Sequence, residues 1–120
     1  MDLIIGGKAQ GKFEYAKEKY CLSERDIFFA DKEKDYSGEK VVYGFQNLVK
    51  TWLKKGLSPL QEVNNISAEI IIADEIGNGI VPINSFEILW REECGRCLCV
   101  LAKRADRVTR VFCSIPKEIK

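Results

Sequence analysis

Histidine is absent from all 120 residues of the chain, so a zinc or iron–sulfur site would have to find its ligands without an imidazole. An excess of charge of one sign is also lacking. Nineteen Lys plus Arg stand against 18 Asp plus Glu, a formal net charge of +1, which leaves no overall electrostatic footprint for nucleic acid or a membrane surface. No apolar run approaches the ~18 residues of a spanning helix, and the N-terminus shows no charged leader followed by a long apolar stretch. A cytoplasmic protein is the expectation. The five cysteines are an odd number with no secretory signal before them, which points to reduced thiols rather than a disulfide framework. What remains is an ordinary globular composition, and 1–120 reads as a single domain able to bury a core unaided.

Apolar runs alternate with helical periodicities. "DLIIG" reads as a short buried strand, and Lys12 to Tyr20 as a helix with Phe13, Ala16, Lys17 and Tyr20 at helical spacing. "DIFFA" (Asp26 to Ala30) is a second buried strand, and "DKEKDYSGEK" a charged, solvated loop. Val41 to Lys55 reads as an amphipathic helix marked by Val42, Phe45, Leu48, Val49, Trp52 and Leu53, stopping before Gly56. Ser58 and Pro59 cap and start a shorter one. "AEIIIADE" is the third strand and "IGNGIVPIN" the loop after it. Asn84 or Ser85 then caps a long helix carrying Phe86, Leu89, Trp90, Cys94, Cys97 and Leu101 at threes and fours. "RVTRVFCSI" closes the chain as a strand. Strands alternating with helices predict a parallel α/β sheet with crossover helices, which binds ligands at the carboxyl ends of its strands.

The first loop, "IIGGKAQGKF", leaves a strand at that edge. From Gly6 it spells Gly, four residues, Gly11, Lys12, and then Phe13. This is the spacing of a P-loop, whose turn glycines let backbone N–H groups converge on phosphate oxygens while the lysine reaches the terminal phosphates. The hydroxyl residue that should follow the lysine and ligate Mg²⁺ is replaced by Phe13, so the motif is damaged. Gly6, Gly7, Lys8, Ala9, Gln10, Gly11, Lys12 and Phe13 are the candidate nucleotide-binding residues. "IIIADE" resembles a Walker B element, with Asp74 as the candidate metal ligand for Mg²⁺ accompanying ATP or GTP, and Lys12 and Glu75 as the candidate catalytic pair. The fold these signals imply is a P-loop NTPase-like parallel sheet. "CGRCLC" (Cys94, Cys97, Cys99) is a competing signal for a metal, but it reads more simply as small apolar residues packing along a helix.

"DEIGNGIVPIN", "WREECGR", "LAKRADRV" and "IPKEIK" together resemble the second half of the adenosylcobinamide kinase/adenosylcobinamide-phosphate guanylyltransferase family of cobalamin biosynthesis, and "GGKAQGK" occupies the place of that family's P-loop. The resemblance covers Gly6 to about Ala16 and Ile70 to Lys120 and leaves the middle unexplained. It implies that Gly6, Gly7, Gly11 and Lys12 hold nucleotide phosphates, that Glu75 faces the cleft, and that Arg91 and Arg96 fall on the long helix. It also implies cobinamide as the acceptor substrate and a homo-oligomer, trimers being usual in the family. The departures are specific. Phe13 replaces a Ser, Asp74 an Asn, and Leu98 and Cys99 stand in place of Asn and Gln. The guanylylated histidine of the family has no counterpart, and the chain reads as a truncated version lacking a middle acidic strand and its neighbouring helices. Two readings follow, a nucleotide-binding protein with residual kinase activity but no histidine-dependent guanylyl transfer, or a non-catalytic scaffold or partner subunit carrying a relic loop.

Overall fold

The computed structural model describes residues 1–32, 34–76 and 84–120. The strands are β1 (Asp2–Gly6), β2 (Ile27–Phe29), β3 (Val41–Tyr43), β4 (Ile70–Asp74), β5 (Arg107–Phe112) and β6 (Ile115–Glu118). The helices are α1 (Lys12–Tyr20), α2 (Phe45–Lys54), the short α3 (Pro59–Glu62) and α4 (Ser85–Arg104). Among the described residues the strands form one sheet in the order β2-β3-β4-β1-β5-β6, parallel throughout except that β6 returns antiparallel to β5. The expected α/β sheet with crossover helices is therefore the fold.

Side chains alternate across the strands into two apolar layers. On one face Ile4, Ile27, Val41, Ile70, Ile72 and Val111 meet Ala16 of α1. On the other, Leu3, Phe28, Val42, Ile71 and Val108 meet Phe45, Leu48 and Trp52 of α2 and Cys94, Cys97 and Leu101 of α4. Strands buried on both faces read as unbroken Ile/Val runs, which is why β4 is plain in the sequence. α4 starts where expected, the Asn84 side chain accepting a hydrogen bond from the Glu87 amide at 2.8 Å. Ser58 stands at the N-cap of α3 but makes no side-chain capping bond there.

Three expectations are corrected. Val41–Tyr43 is not helix but strand β3, paired on both sides with β2 and β4. Its β-branched pair fits a doubly buried strand, and Gly44, at φ 81°, makes the left-handed break after which α2 begins. The closing segment is not one strand but two. Cys113 and Ser114 take φ of 50° and 63°, the two-residue, left-handed turn that matches strand twist, here without the glycine or asparagine that usually advertises it. The charged loop is also less uniformly solvated than expected, since Ala30–Lys32 forms a 3₁₀ turn and Tyr36 lies edge-on to Phe28 at 5.7 Å. The loop after β4 lies mostly outside the described residues.

Of the thiols on α4, Cys94 and Cys97 are buried in the core while Cys99 is exposed, so the packed-thiol reading holds for the first two and not the third. Burial, aided by nearby Glu93, pushes both buried thiols up to about 12, which leaves almost no thiolate at pH 8. A disulfide reagent at pH 8 should therefore titrate Cys21, Cys99 and Cys113 quickly, and Cys94 and Cys97 only after denaturation. Rapid reaction of all five in the folded protein, followed by mass spectrometry, would contradict the packing.

Candidate phosphate-binding site

β1 and β4 run side by side in parallel, with Gly6 opposite Asp74. This register brings the glycine-rich loop and the acidic strand end to one edge of the sheet, and the Glu75 amide donates to the Gly6 carbonyl at 2.8 Å to hold the two exits together. The loop turns through Ala9 at φ 58° and Gly11 at φ 91° into α1, whose first residue is Lys12. The Lys12 side chain is only 6% exposed. Its ammonium donates to the Gly7 carbonyl at 2.6 Å and pairs with Asp74 Oδ1 at 2.6 Å. The Asp74 amide in turn donates to the Gln46 side-chain oxygen at 3.0 Å, and the Gln46 carbonyl accepts from Trp90 Nε1 at 2.8 Å. α2 and α4 thus support the lysine–aspartate pair from behind.

The hairpin turn supports the loop from the other side. The Cys113 amide donates to the Gln10 side-chain oxygen at 2.8 Å and the Ser114 amide to the Gln10 carbonyl at 2.9 Å. Gly11 is tight against that turn, since a Cβ there would sit 2.6 Å from Ser114 Oγ. Gly6 is tighter still. A Cβ at that position would fall 2.4 Å from the Val111 carbonyl oxygen, whereas one at Gly7 would meet nothing nearer than Gln10 at 3.5 Å.

The loop opens on a cavity of about 260 Å³ lined by Lys8–Glu14, Asp31, Tyr43, Asn47 and Asp74. A wider cleft of about 550 Å³ adjoins it along Gly7, Lys8, Asp74, Glu75, Trp90 and Arg91. Glu75 faces this cleft but is also 3.2 Å from the Arg110 guanidinium. Phe13 lines the cavity but offers no polar atom to a ligand. Its ring packs tilted against Tyr43 at 4.7 Å and edge-on against Phe29 at 6.0 Å. Burial first, then the charges of Asp74, Glu14 and Asp31, push the Tyr43 phenol upward, so it stays neutral and the far wall is acidic. Sequence reasoning did not find Gln46, Tyr43, Asp31, Trp90 or Arg110, since none belongs to a spaced motif. Arg91 lines the cleft, whereas Arg96 lies on the surface with Glu92 and Glu93. The Gly-Ile-Val-Pro motif at 79–82 lies outside the described residues.

Magnesium is usually held by one or two carboxylates and the phosphates it arrives with. Asp74 is a donor of that kind, Phe13 offers no oxygen, and among the described residues no three His, Cys, Asp or Glu side chains converge on a cation. A single carboxylate of this kind fits a cation carried in by phosphate and not one held by the protein alone.

A strand, a glycine turn and a helix whose first lysine meets the acid ending the neighbouring strand, within a mostly parallel sheet, define a P-loop NTPase-like α/β protein. The family model for cobinamide kinase / cobinamide phosphate guanyltransferase matches residues 45–119. The chain belongs to that family, which binds nucleotides in cobalamin biosynthesis. No curated protein matches it. The match takes in α2, which the resemblance left unexplained, and begins beyond the glycine loop. Among the described residues no helix is long and apolar enough to cross a membrane.

The geometry separates the glycines. Gly6→Ala should lower stability by ~1–3 kcal/mol, because a backbone carbonyl cannot move aside for the methyl group. Gly7→Ala should leave the melting temperature nearly unchanged. Equal thermal losses for the two would show that the close approach of β1 and β5 is not what Gly6 serves.

Proposed function

We propose that the chain binds the phosphates of ATP or GTP at Gly6–Phe13, with Lys12 as the phosphate cation and Asp74 as the ligand for accompanying Mg²⁺, and that it retains phosphotransfer to an acceptor hydroxyl of cobinamide type. The observation that carries this reading is the burial of the Lys12 ammonium at the loop mouth, 2.6 Å from Asp74. Phosphoryl transfer asks mainly for positioning and charge neutralisation, and when bound, Mg²⁺ supplies part of the latter. Glu75 faces the wider cleft, where it can accept the hydroxyl proton as the acceptor oxygen bonds to phosphorus and the nucleoside diphosphate leaves. With no histidine in the chain, guanylyl transfer through a histidine phosphoramidate has no nucleophile. Incubation with radiolabelled GTP should give no acid-labile labelled protein band, and such a band would remove this limit.

Because Phe13 supplies no oxygen, the metal dependence that remains runs through Asp74 alone. At ligand tenfold above its dissociation constant, binding should stabilise the fold by ~1.4 kcal/mol, a melting shift of roughly 4–8 °C. Lys12→Ala should abolish that shift. Phe13→Ser should make the shift more dependent on Mg²⁺ while costing ~2 kcal/mol of basal stability through lost ring packing.

A second reading, a partner subunit with a relic loop, is favoured by the outer hairpin, where Phe112, Ile115 and Ile119 are 66%, 68% and 54% exposed. An apolar face of this kind suits assembly with further copies of the chain. It becomes the better account if millimolar ATP, GTP and inorganic triphosphate all leave the melting temperature unchanged, with and without Mg²⁺.

A further inference from the structure

The cavity beside the loop carries an unfavourable charge balance for a polyphosphate. Lys8 and Lys12 bring two positive charges to its lining, and Glu14, Asp31 and Asp74 bring three negative ones. The better placed cation is already engaged. An ammonium has three N–H donors, and Lys12 commits one to Gly7 and one to Asp74, both at 2.6 Å. At 6% exposure its side chain has little freedom to swing out, so a phosphate entering the cavity meets the ammonium where it sits, next to a carboxylate that repels the phosphate. Asp74 is the more exposed partner. Its side chain is 25% exposed, and the Gln46 contact fixes its backbone amide rather than its carboxylate.

Resting on the phosphate-site reading above, we infer that Asp74 is an internal counter-ion that occupies Lys12 until phosphate displaces it, and so selects cation-loaded over free polyphosphate. A bare triphosphate has to approach against the carboxylate's charge or push it off the lysine. A triphosphate carrying a divalent cation gives the same carboxylate a partner to move to, so the ammonium is released as the phosphates arrive. The aspartate therefore sets which form of the ligand binds, in addition to any part it has in holding the metal.

Calorimetric titration with inorganic triphosphate, once in excess EDTA and once in excess Mg²⁺, tests this on the intact chain. In EDTA, Asp74→Asn and Asp74→Ala should both bind about tenfold more tightly than the parent, the factor that corresponds to ~1.4 kcal/mol. The ratio of affinities with and without Mg²⁺ should fall in both. If the parent binds and the folded variants bind equally or more weakly in EDTA, the counter-ion role is wrong while the phosphate site stands. If the parent and both variants bind no triphosphate under either condition, the site itself is wrong and the counter-ion role falls with it. Should the variants fail to melt cooperatively, the ¹³C carboxyl resonance of Asp74 in the parent decides. It should move when triphosphate saturates the protein in EDTA, and a stationary resonance under bound phosphate would overturn the displacement.

Discussion

The parallel pairing of β1 with β4 is the constraint on which the rest of the site depends. It places Gly6 level with Asp74, and from that single registration follow the shared edge, the short reach from Lys12 to the aspartate, and the Glu75 amide bond that ties the two strand exits. A slip of one residue in that pairing would turn the acidic side chain to the other face of the sheet. Burial on both faces prevents it. Ile4 and Ile72 pack into the layer with α1, while Leu3 and Ile71 pack into the layer under α2 and α4. The core thereby specifies the site, although it lies behind the residues that would meet a ligand.

The loop has two supports that come from different parts of the chain. Gln46 and Trp90 hold the aspartate strand from α2 and α4, and the β5–β6 turn holds Gln10 through two backbone amides. Glycine at positions 6 and 11 is accordingly required by packing against Val111 and Ser114, whatever the loop binds. The glycine spacing that reads as a phosphate motif is thus also the spacing a close-packed strand-to-helix turn needs. This is why the spacing alone is a modest functional signal, and why the buried, paired lysine carries more weight.

How much was legible follows from the kind of signal each element gives. β1, α1, β2 and β4 were legible because doubly buried strands and a glycine-bounded helix are local patterns. β3 was not, because Val42 and Phe45 happen to fall three apart and mimic a helical face, while the break between them depends on the left-handed Gly44. β6 was missed because its turn uses Cys113 and Ser114 at positive φ, a strained choice held in place by bonds to Gln10 more than a hundred residues earlier in the chain. At the site, Lys12 and Asp74 were readable as partners of one chemistry. The Gln46 support and the acidic wall of Asp31 and Glu14 were not, because they arise only when α2 and the loop after β2 are folded against the sheet.

Phe13 stands where the proposed phosphate loop would want a hydroxyl, and it serves packing instead. A hydroxyl there would face a cation. The aromatic ring instead extends the α1 layer onto Phe29 and Tyr43, joining the helix start to the strands β2 and β3 at the far edge. That packing restrains the residue following the lysine, and on the proposed reading a restrained helix start would favour preorganised phosphate contacts. Any metal that accompanies the ligand would then depend on one carboxylate, Asp74. If an incoming cation competes with Lys12 for Asp74, as inferred above, the strength of the lysine–aspartate pair decides how the site responds to metal-bound and metal-free ligands.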